Sequence, residues 1–162
     1  MAASRIRPHA LFTQHVRPLI TVASLSIFVR IFYNFDYQIL WLLVKAMVIF
    51  VSFFVSFYFS LVVFKSYFHY FCEGDPNERH FTTVIAYCVS LLAITEIVCN
   101  VLPVNLGLEY LLPLAVALIF WKADAYLRVL PTMDMPYALF GLCVVVLPSA
   151  IIQSIFYSIF KF

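Results

Sequence analysis

Long apolar stretches alternate with short polar ones along this chain. A run of about 20 apolar residues is long enough for a helix to cross the roughly 30 Å hydrocarbon core of a bilayer. The runs are too long and too uninterrupted for the alternating strands of a membrane barrel. The pattern therefore predicts an all-α fold, a polytopic helical transmembrane bundle of about five spans, at residues 19–33, 39–64, 81–102, 106–127 and 137–160.

The composition agrees with this pattern. Of the 162 residues, 65% are hydrophobic and only 11% are charged, and the mean hydropathy is +1.01. A soluble globular chain is about half apolar and about a quarter charged. The composition therefore favours an integral membrane protein with a single transmembrane domain, residues 19–162. A net charge of +2 gives no indication of nucleic-acid binding.

The segment before the first apolar run, residues 1–18, mixes basic and apolar residues in the sequence RIRPHALFTQHVRP. That mixture predicts a short amphipathic helix lying on the cytoplasmic face of the membrane, with Pro8 near its start. A disordered basic tail is the alternative. No small-residue cleavage site separates the first apolar run from the next, so we expect no cleavable secretory signal.

The distribution of basic residues predicts the orientation. Short cytoplasmic loops of membrane proteins carry an excess of Lys and Arg. With the N-terminus inside, the inner side collects seven of the ten basic residues, namely Arg5, Arg7, Arg17, Lys65, Arg79, Lys122 and Arg128. An odd number of spans then places the C-terminus outside.

Several polar residues interrupt the apolar runs near the predicted outer side. Glu96 and Lys45 each lie six residues from the outer end of a span, which is a depth of roughly 9 Å. Arg30 and Gln153 fall at similar levels, and Asn100 is one helical turn from Glu96. We expect Glu96 to face the bundle interior within hydrogen-bonding reach of at least one of these residues.

Two interpretations of this intramembrane polar cluster follow. Ionisable groups inside a membrane are functional candidates, so Glu96 could carry an ion or proton with Lys45 as its counter-charge. Alternatively, the cluster is a structural clasp that fixes which helices pack together. One carboxylate and one ammonium do not form a relay, and the broken half-helices typical of transporter sites are missing from the sequence. These points favour the clasp.

An interfacial cluster is predicted where the fourth span ends. Trp121 is of the type that anchors a helix at the headgroup level, and Lys122, Asp124 and Arg128 follow it, with Asp124 and Arg128 spaced as an i,i+4 pair. Ordinary membrane anchoring explains this cluster. The inner loop HYFCEGDPNERH has side chains that can ligate metals, but their order matches no metal pattern. No metal, cofactor or enzymatic motif is predicted.

Prolines inside the last two spans predict local disturbances. Pro148 lacks a backbone donor and crowds the carbonyl of Val144, so the last helix should bend there. Pro113 should act similarly on the fourth span. Neighbouring helices or Ser149 must then supply the missing hydrogen bonds.

The C-terminal half resembles bacterial Yip-family membrane proteins. The resemblance covers about residues 80–160 and rests on FTTVIAYCVSLLAITEIVCNVLP, LLPLAVALIFWKADAYLRV and YALFGLCVVVLPSAIIQSIFYSIF, within which the matching positions are Tyr87, Pro103, Trp121, Tyr137 and Pro148. It implies five spans, a cytoplasmic N-terminus, an external C-terminus and a location in the bacterial cytoplasmic (inner) membrane. Eukaryotic members are linked to Rab GTPases, vesicle traffic and membrane shaping. Their Asp-Leu-Tyr-Gly-Pro box is missing here, so the resemblance is to the compact bacterial branch.

Three functions agree with these features. The first is a non-enzymatic Yip-type protein that organises or scaffolds the membrane or binds a partner, either another protein or a second copy of itself. The second is a small transporter or channel that uses the Glu96 and Lys45 site. The third is an accessory subunit of a larger membrane complex.

Overall fold

The computed structural model describes residues 12–33, 39–72, 78–102 and 108–160. These residues form five α-helices, which we number in chain order: α1 (Arg17–Ser26), α2 (Ile39–Phe71), α3 (Glu78–Val101), α4 (Leu108–Leu127) and α5 (Asp134–Phe160). The described residues contain no strand beyond one isolated bridge between Cys72 and Val129. The prediction of an all-α helical bundle is therefore confirmed.

The first helical segment changes its winding twice. A π-helical turn, Phe12–Val16, leads into α1, and a 3-10 turn, Ile27–Phe32, follows it. Pro18 is the second residue of α1 and follows directly after the π-helical turn. The segment continues without a break across the predicted boundary between residues 18 and 19. The rest of the predicted amphipathic helix, residues 1–11, lies outside the described residues.

Helix α2 is seven residues longer than the predicted span, since it ends at Phe71 rather than at residue 64. The sequence KSYFHYF carries polar residues that favour a loop, but its aromatic rings find partners on other helices. The ring of Phe68 lies 5.8 Å from that of Phe81 on α3, and the ring of Phe71 lies 5.0 Å from that of Phe140 on α5. This packing extends the helix beyond its apolar run.

Four helical segments are long and apolar enough to cross a membrane within the described parts of the chain, namely Gln14–Phe32, Ile39–Phe71, His80–Val101 and Asp134–Ile159. Helix α4 is not among them, and it has 20 residues with Lys122 and Asp124 near its end. The four segments make this an integral membrane protein. A fifth crossing by α4 stays a prediction, as does the orientation.

Successive helices run in opposite directions, and the connection between α4 and α5 is tied to the end of α2. The backbone N–H of Leu130 donates to the carbonyl of Phe71 at 2.8 Å, and Cys72 forms the isolated bridge with Val129. We call this side of the bundle, where α2 and α4 end and α3 and α5 begin, the Phe71 end. The opposite side, where α3 ends near Asn100, is the Asn100 end.

The largest buried side chains pack between α2, α4 and α5. Phe64 stacks on Phe120, with ring centroids 5.4 Å apart and planes 5° from parallel, and Tyr137 meets both rings edge-on. Gly141 allows α5 to approach closely, because a Cβ there would lie 2.5 Å from the Phe120 ring. Together these residues fix how the three helices meet.

Candidate functional site in the bundle interior

Asn100 joins α3 to the first helical segment in the bundle interior. Its side chain is 1% exposed, and Nδ2 donates to Ser26 Oγ at 3.0 Å and to Glu96 Oε1 at 3.2 Å. Ser26 Oγ in turn donates to the carbonyl of Ala23 at 2.7 Å. The hydrogen bond expected between Glu96 and at least one of its four predicted neighbours is therefore present.

The polar contacts of Asn100 coincide with a change in helix winding. Ser26 is the last residue of α1, and the 3-10 turn starts at Ile27. Beyond this point Arg30 Nη2 approaches the carbonyl of Cys99 at 3.5 Å, the outer limit of a hydrogen bond. Arg30 and Asn100 thus hold neighbouring turns of the same two elements together.

The side-chain oxygen of Asn100, its acceptor, stands apart from this network. Within the described residues, Asn100 Oδ1 is buried and has no hydrogen-bond partner. A buried acceptor without a donor is costly in a low-dielectric interior. Asn100 Oδ1 is therefore the point in this cluster where a bound proton donor or cation would gain most.

Lys45 and Gln153 connect α2 to α5. Gln153 Nε2 donates to Ser52 Oγ at 3.3 Å, and Lys45 Nζ lies 5.0 Å from the centroid of the Tyr157 ring, a cation–π distance. The described contacts of the five predicted cluster residues therefore lie at two interfaces. One is between the first helical segment and α3, and the other is between α2 and α5. The ion pair of Lys45 with Glu96 stays a prediction.

A line of serines on α2 was missed from the sequence. Ser52, Ser56 and Ser60 follow one another at four-residue intervals and are all 0% exposed. Ser56 Oγ donates to the carbonyl of Val145, and Ser60 Oγ to the carbonyl of Val144 at 3.1 Å. The signal was the S-x3-S-x3-S spacing, because small residues at i and i+4 let two helix backbones approach closely in a membrane.

One of these serines, Ser60, supplies a donor to the carbonyl that Pro148 leaves without its helical partner. The carbonyl of Val144, four residues before Pro148, loses its usual helical donor. Helix α5 nevertheless continues through Pro148, and the hydroxyl of Ser60 on α2 supplies a donor to Val144. Ser149 donates to the carbonyl of Val146 at 3.0 Å. A neighbouring helix thus satisfies the freed carbonyl, and the predicted bend stays a prediction.

The interfacial cluster lies at the Phe71 end, remote from Asn100. Trp121 and Lys122 are exposed, and Asp124 is half-buried. Helix α4 ends at Leu127, and Arg128 adopts a positive φ of 55°. The helix thus ends at residue 127, where the fourth span was predicted to end. The i,i+4 pairing of Asp124 with Arg128 stays a prediction.

No protein-family model, curated protein or solved structure matches this chain. The class of protein therefore follows from the fold and the site alone. Four long apolar helical segments surround an interior in which polar side chains connect neighbouring helices. The protein is a polytopic helical integral membrane protein.

Proposed function

We propose that this protein is a non-enzymatic scaffold of the Yip type that organises the membrane around it. The observation that supports this function is that hydrogen bonds in the bundle interior join different helices. Ser60 reaches α5, Asn100 reaches Ser26 and Gln153 reaches Ser52, so each of these bonds joins two helices. Polar groups used in this way hold a bundle in one arrangement.

The sequence resemblance adds support, since two of the positions that carry it take part in packing. Tyr137 is buried between Phe64 and Phe120, and Pro148 is the residue that creates the acceptor for Ser60. A membrane-organising protein requires a rigid bundle, because its shape must be imposed on the surrounding lipids.

Reconstitution into vesicles tests the proposal. Unilamellar vesicles prepared with increasing ratios of purified protein to lipid should change in diameter or shape, as seen by electron cryomicroscopy. Glu96→Gln should behave like the unchanged protein, because a Gln side chain keeps an acceptor for Asn100. Vesicles that keep the outline of protein-free controls at every ratio would contradict the proposal.

A second candidate, a small transporter or channel, is favoured by one observation. Within the described residues, the buried Oδ1 of Asn100 has no hydrogen-bond partner and lies on the residue that binds Glu96. Vesicles loaded with a pH-sensitive dye and subjected to a potassium diffusion potential distinguish the candidates. The scaffold predicts the proton leak of protein-free vesicles. A flux that Glu96→Gln abolishes would establish the transporter instead.

A further inference from the structure

The exposed basic side chains of the described residues gather at the Phe71 end. Four Lys and Arg residues near that end are exposed: Arg17, Lys65, Lys122 and Arg128. The two described basic residues nearer the Asn100 end, Arg30 and Lys45, are half-buried. The Phe71 end therefore presents positive charge at the level where lipid headgroups lie.

Three of the residues at this end form a compact surface on α3 and α4. Lys122 and Tyr126 are one helical turn apart and both exposed. The ring of His80, at the start of α3, lies 4.3 Å from the ring of Tyr126. Arg128, two residues further along the chain, is exposed at the same end. We call these four residues the headgroup patch (His80, Lys122, Tyr126 and Arg128).

Hydrogen bonds of the next two residues hold the backbone at Arg128 in place. The N–H of Val129 donates to the carbonyl of Asp124 at 3.1 Å, and the next residue is bonded to Phe71. Arg128 itself has a φ of 55°, a left-handed conformation that side chains other than Gly, Asn and Asp adopt at a cost. Glycine is the usual residue at this position after a helix. Arg128 thus occupies a position where the backbone alone would favour glycine.

An exposed apolar strip runs along α4 from the patch toward the Asn100 end. Leu118, Leu114 and Leu111 are spaced to share one face with Lys122, and their exposed fractions are 46%, 62% and 60%. Eleven residues of helix separate Leu111 from Lys122, a length of roughly 16 Å. That is about half of the hydrocarbon core, and so about the length of one acyl chain.

We propose that the headgroup patch binds the phosphate of an anionic phospholipid, with an acyl chain lying along Leu118, Leu114 and Leu111. Lys122 and Arg128 supply charge-assisted donors for the phosphate, and Tyr126 supplies a hydroxyl beside them. The apolar strip identifies the ligand as a lipid, because a soluble anion has nothing to place there. This site is independent of the proposed scaffold function.

Tryptophan quenching tests the lipid site. The chain has two tryptophans, Trp41 and Trp121, and Trp41→Phe leaves Trp121 beside the patch. This protein is reconstituted into phosphatidylcholine vesicles in which the acyl chains of either phosphatidylglycerol or phosphatidylcholine are brominated. Brominated phosphatidylglycerol should quench Trp121 at a lower mole fraction than brominated phosphatidylcholine. Lys122→Gln should raise the half-quenching fraction of phosphatidylglycerol about fivefold.

Three controls make the result specific. Lys65→Gln removes an exposed ammonium at the same end of the bundle but outside the patch, and it should leave the preference unchanged. Lys122→Arg should retain the preference. Trp121→Phe, which leaves only Trp41, should show equal quenching by both lipids.

Specific outcomes would overturn the site. Equal quenching of Trp121 by the two lipids would exclude a preference for the anionic headgroup. An equal loss on Lys65→Gln and Lys122→Gln would show diffuse attraction of charge instead of a site. Abolition of the preference by added inorganic phosphate would show that the patch selects a soluble anion rather than a lipid.

Discussion

The hydroxyl of Ser60 donates to the carbonyl of Val144, which Pro148 has deprived of its helical partner. The same hydroxyl lies 2.7 Å from the carbonyl of Ser56 on its own helix. A hydroxyl has one proton, so the two carbonyls share it. A residue on α2 thus compensates for a defect built into α5, and the two positions should be energetically coupled.

A double-mutant cycle measures this coupling. Ser60→Ala should destabilise the protein by about 1 kcal/mol, because the carbonyl of Val144 loses a donor in a dry interior. In a Pro148→Ala background the helix regains its own N–H, so Ser60→Ala should cost clearly less. The measurement is thermal unfolding in detergent. Ser66→Ala, which removes an exposed serine bonded within its own helix, is the matched control, and equal costs of Ser60→Ala in both backgrounds would contradict the coupling.

Substitutions of Glu96 distinguish a structural clasp from an ion site. Glu96→Gln keeps an acceptor for Asn100 Nδ2 and should be mild. Glu96→Leu removes that acceptor and should cost about 1–2 kcal/mol more, since a buried amide hydrogen is stranded. Thermal unfolding of the two variants gives the difference. If both unfold at the same temperature, the hydrogen bond with Asn100 does not stabilise the bundle.

Arg128→Gly should raise the melting temperature in lipid-free detergent. Glycine adopts a φ of 55° without the steric penalty that Arg carries, which is about 1–2 kcal/mol. Arg128→Ala separates relief of backbone strain from loss of the guanidinium, because alanine retains a Cβ. An alanine variant as stable as the glycine variant would show that strain is not the cause.

Gly141→Ala should destabilise the bundle by about 1–3 kcal/mol, because the new methyl group would meet the Phe120 ring at 2.5 Å. Phe120→Leu in the same chain should recover part of the loss by withdrawing the ring. Comparing the unfolding temperatures of the single and double variants gives the result. Purely additive effects would mean that the two residues do not compete for this space.

Cysteine labelling tests the orientation and the fifth span together. In a cysteine-free background, Asn105→Cys should react with an impermeant reagent from outside, whereas Asn77→Cys and Thr132→Cys should be protected. The expected pattern follows from the basic residues of the inner side. Labelling of Asn77→Cys from outside would reverse the orientation. Labelling of both Asn105→Cys and Thr132→Cys from one side would exclude a crossing by α4.

The helices were predictable because their apolar runs are long and continuous. The pairing of Asn100 with Glu96 was also predictable, since it depends only on the i,i+4 spacing within one helix. The bond of Asn100 to Ser26 was not, because a single sequence gives the depth of a residue but not which helices are neighbours. The prediction, which used depth alone, therefore placed in one cluster residues whose contacts lie at two interfaces.

The error at the end of α2 has a physical origin as well. The run after residue 64 contains Lys65, Ser66 and His69, which favour a loop by composition. Packing of Phe68 and Phe71 on other helices outweighs this preference. Helix α4, in contrast, ends at Leu127, which is the predicted end of the fourth span.

The serine line on α2 has a consequence for biosynthesis. Ser56 and its acceptor Val145 are 89 residues apart, which a ribosome takes roughly 4–18 seconds to translate. Until α5 emerges, α2 must rest in the bilayer with its hydroxyls facing lipid. Ser52 and Ser60 can also bond to carbonyls of their own helix, so they remain satisfied during this interval. The serine hydroxyls that later join α2 to α5 can therefore bond within α2 until α5 has been made.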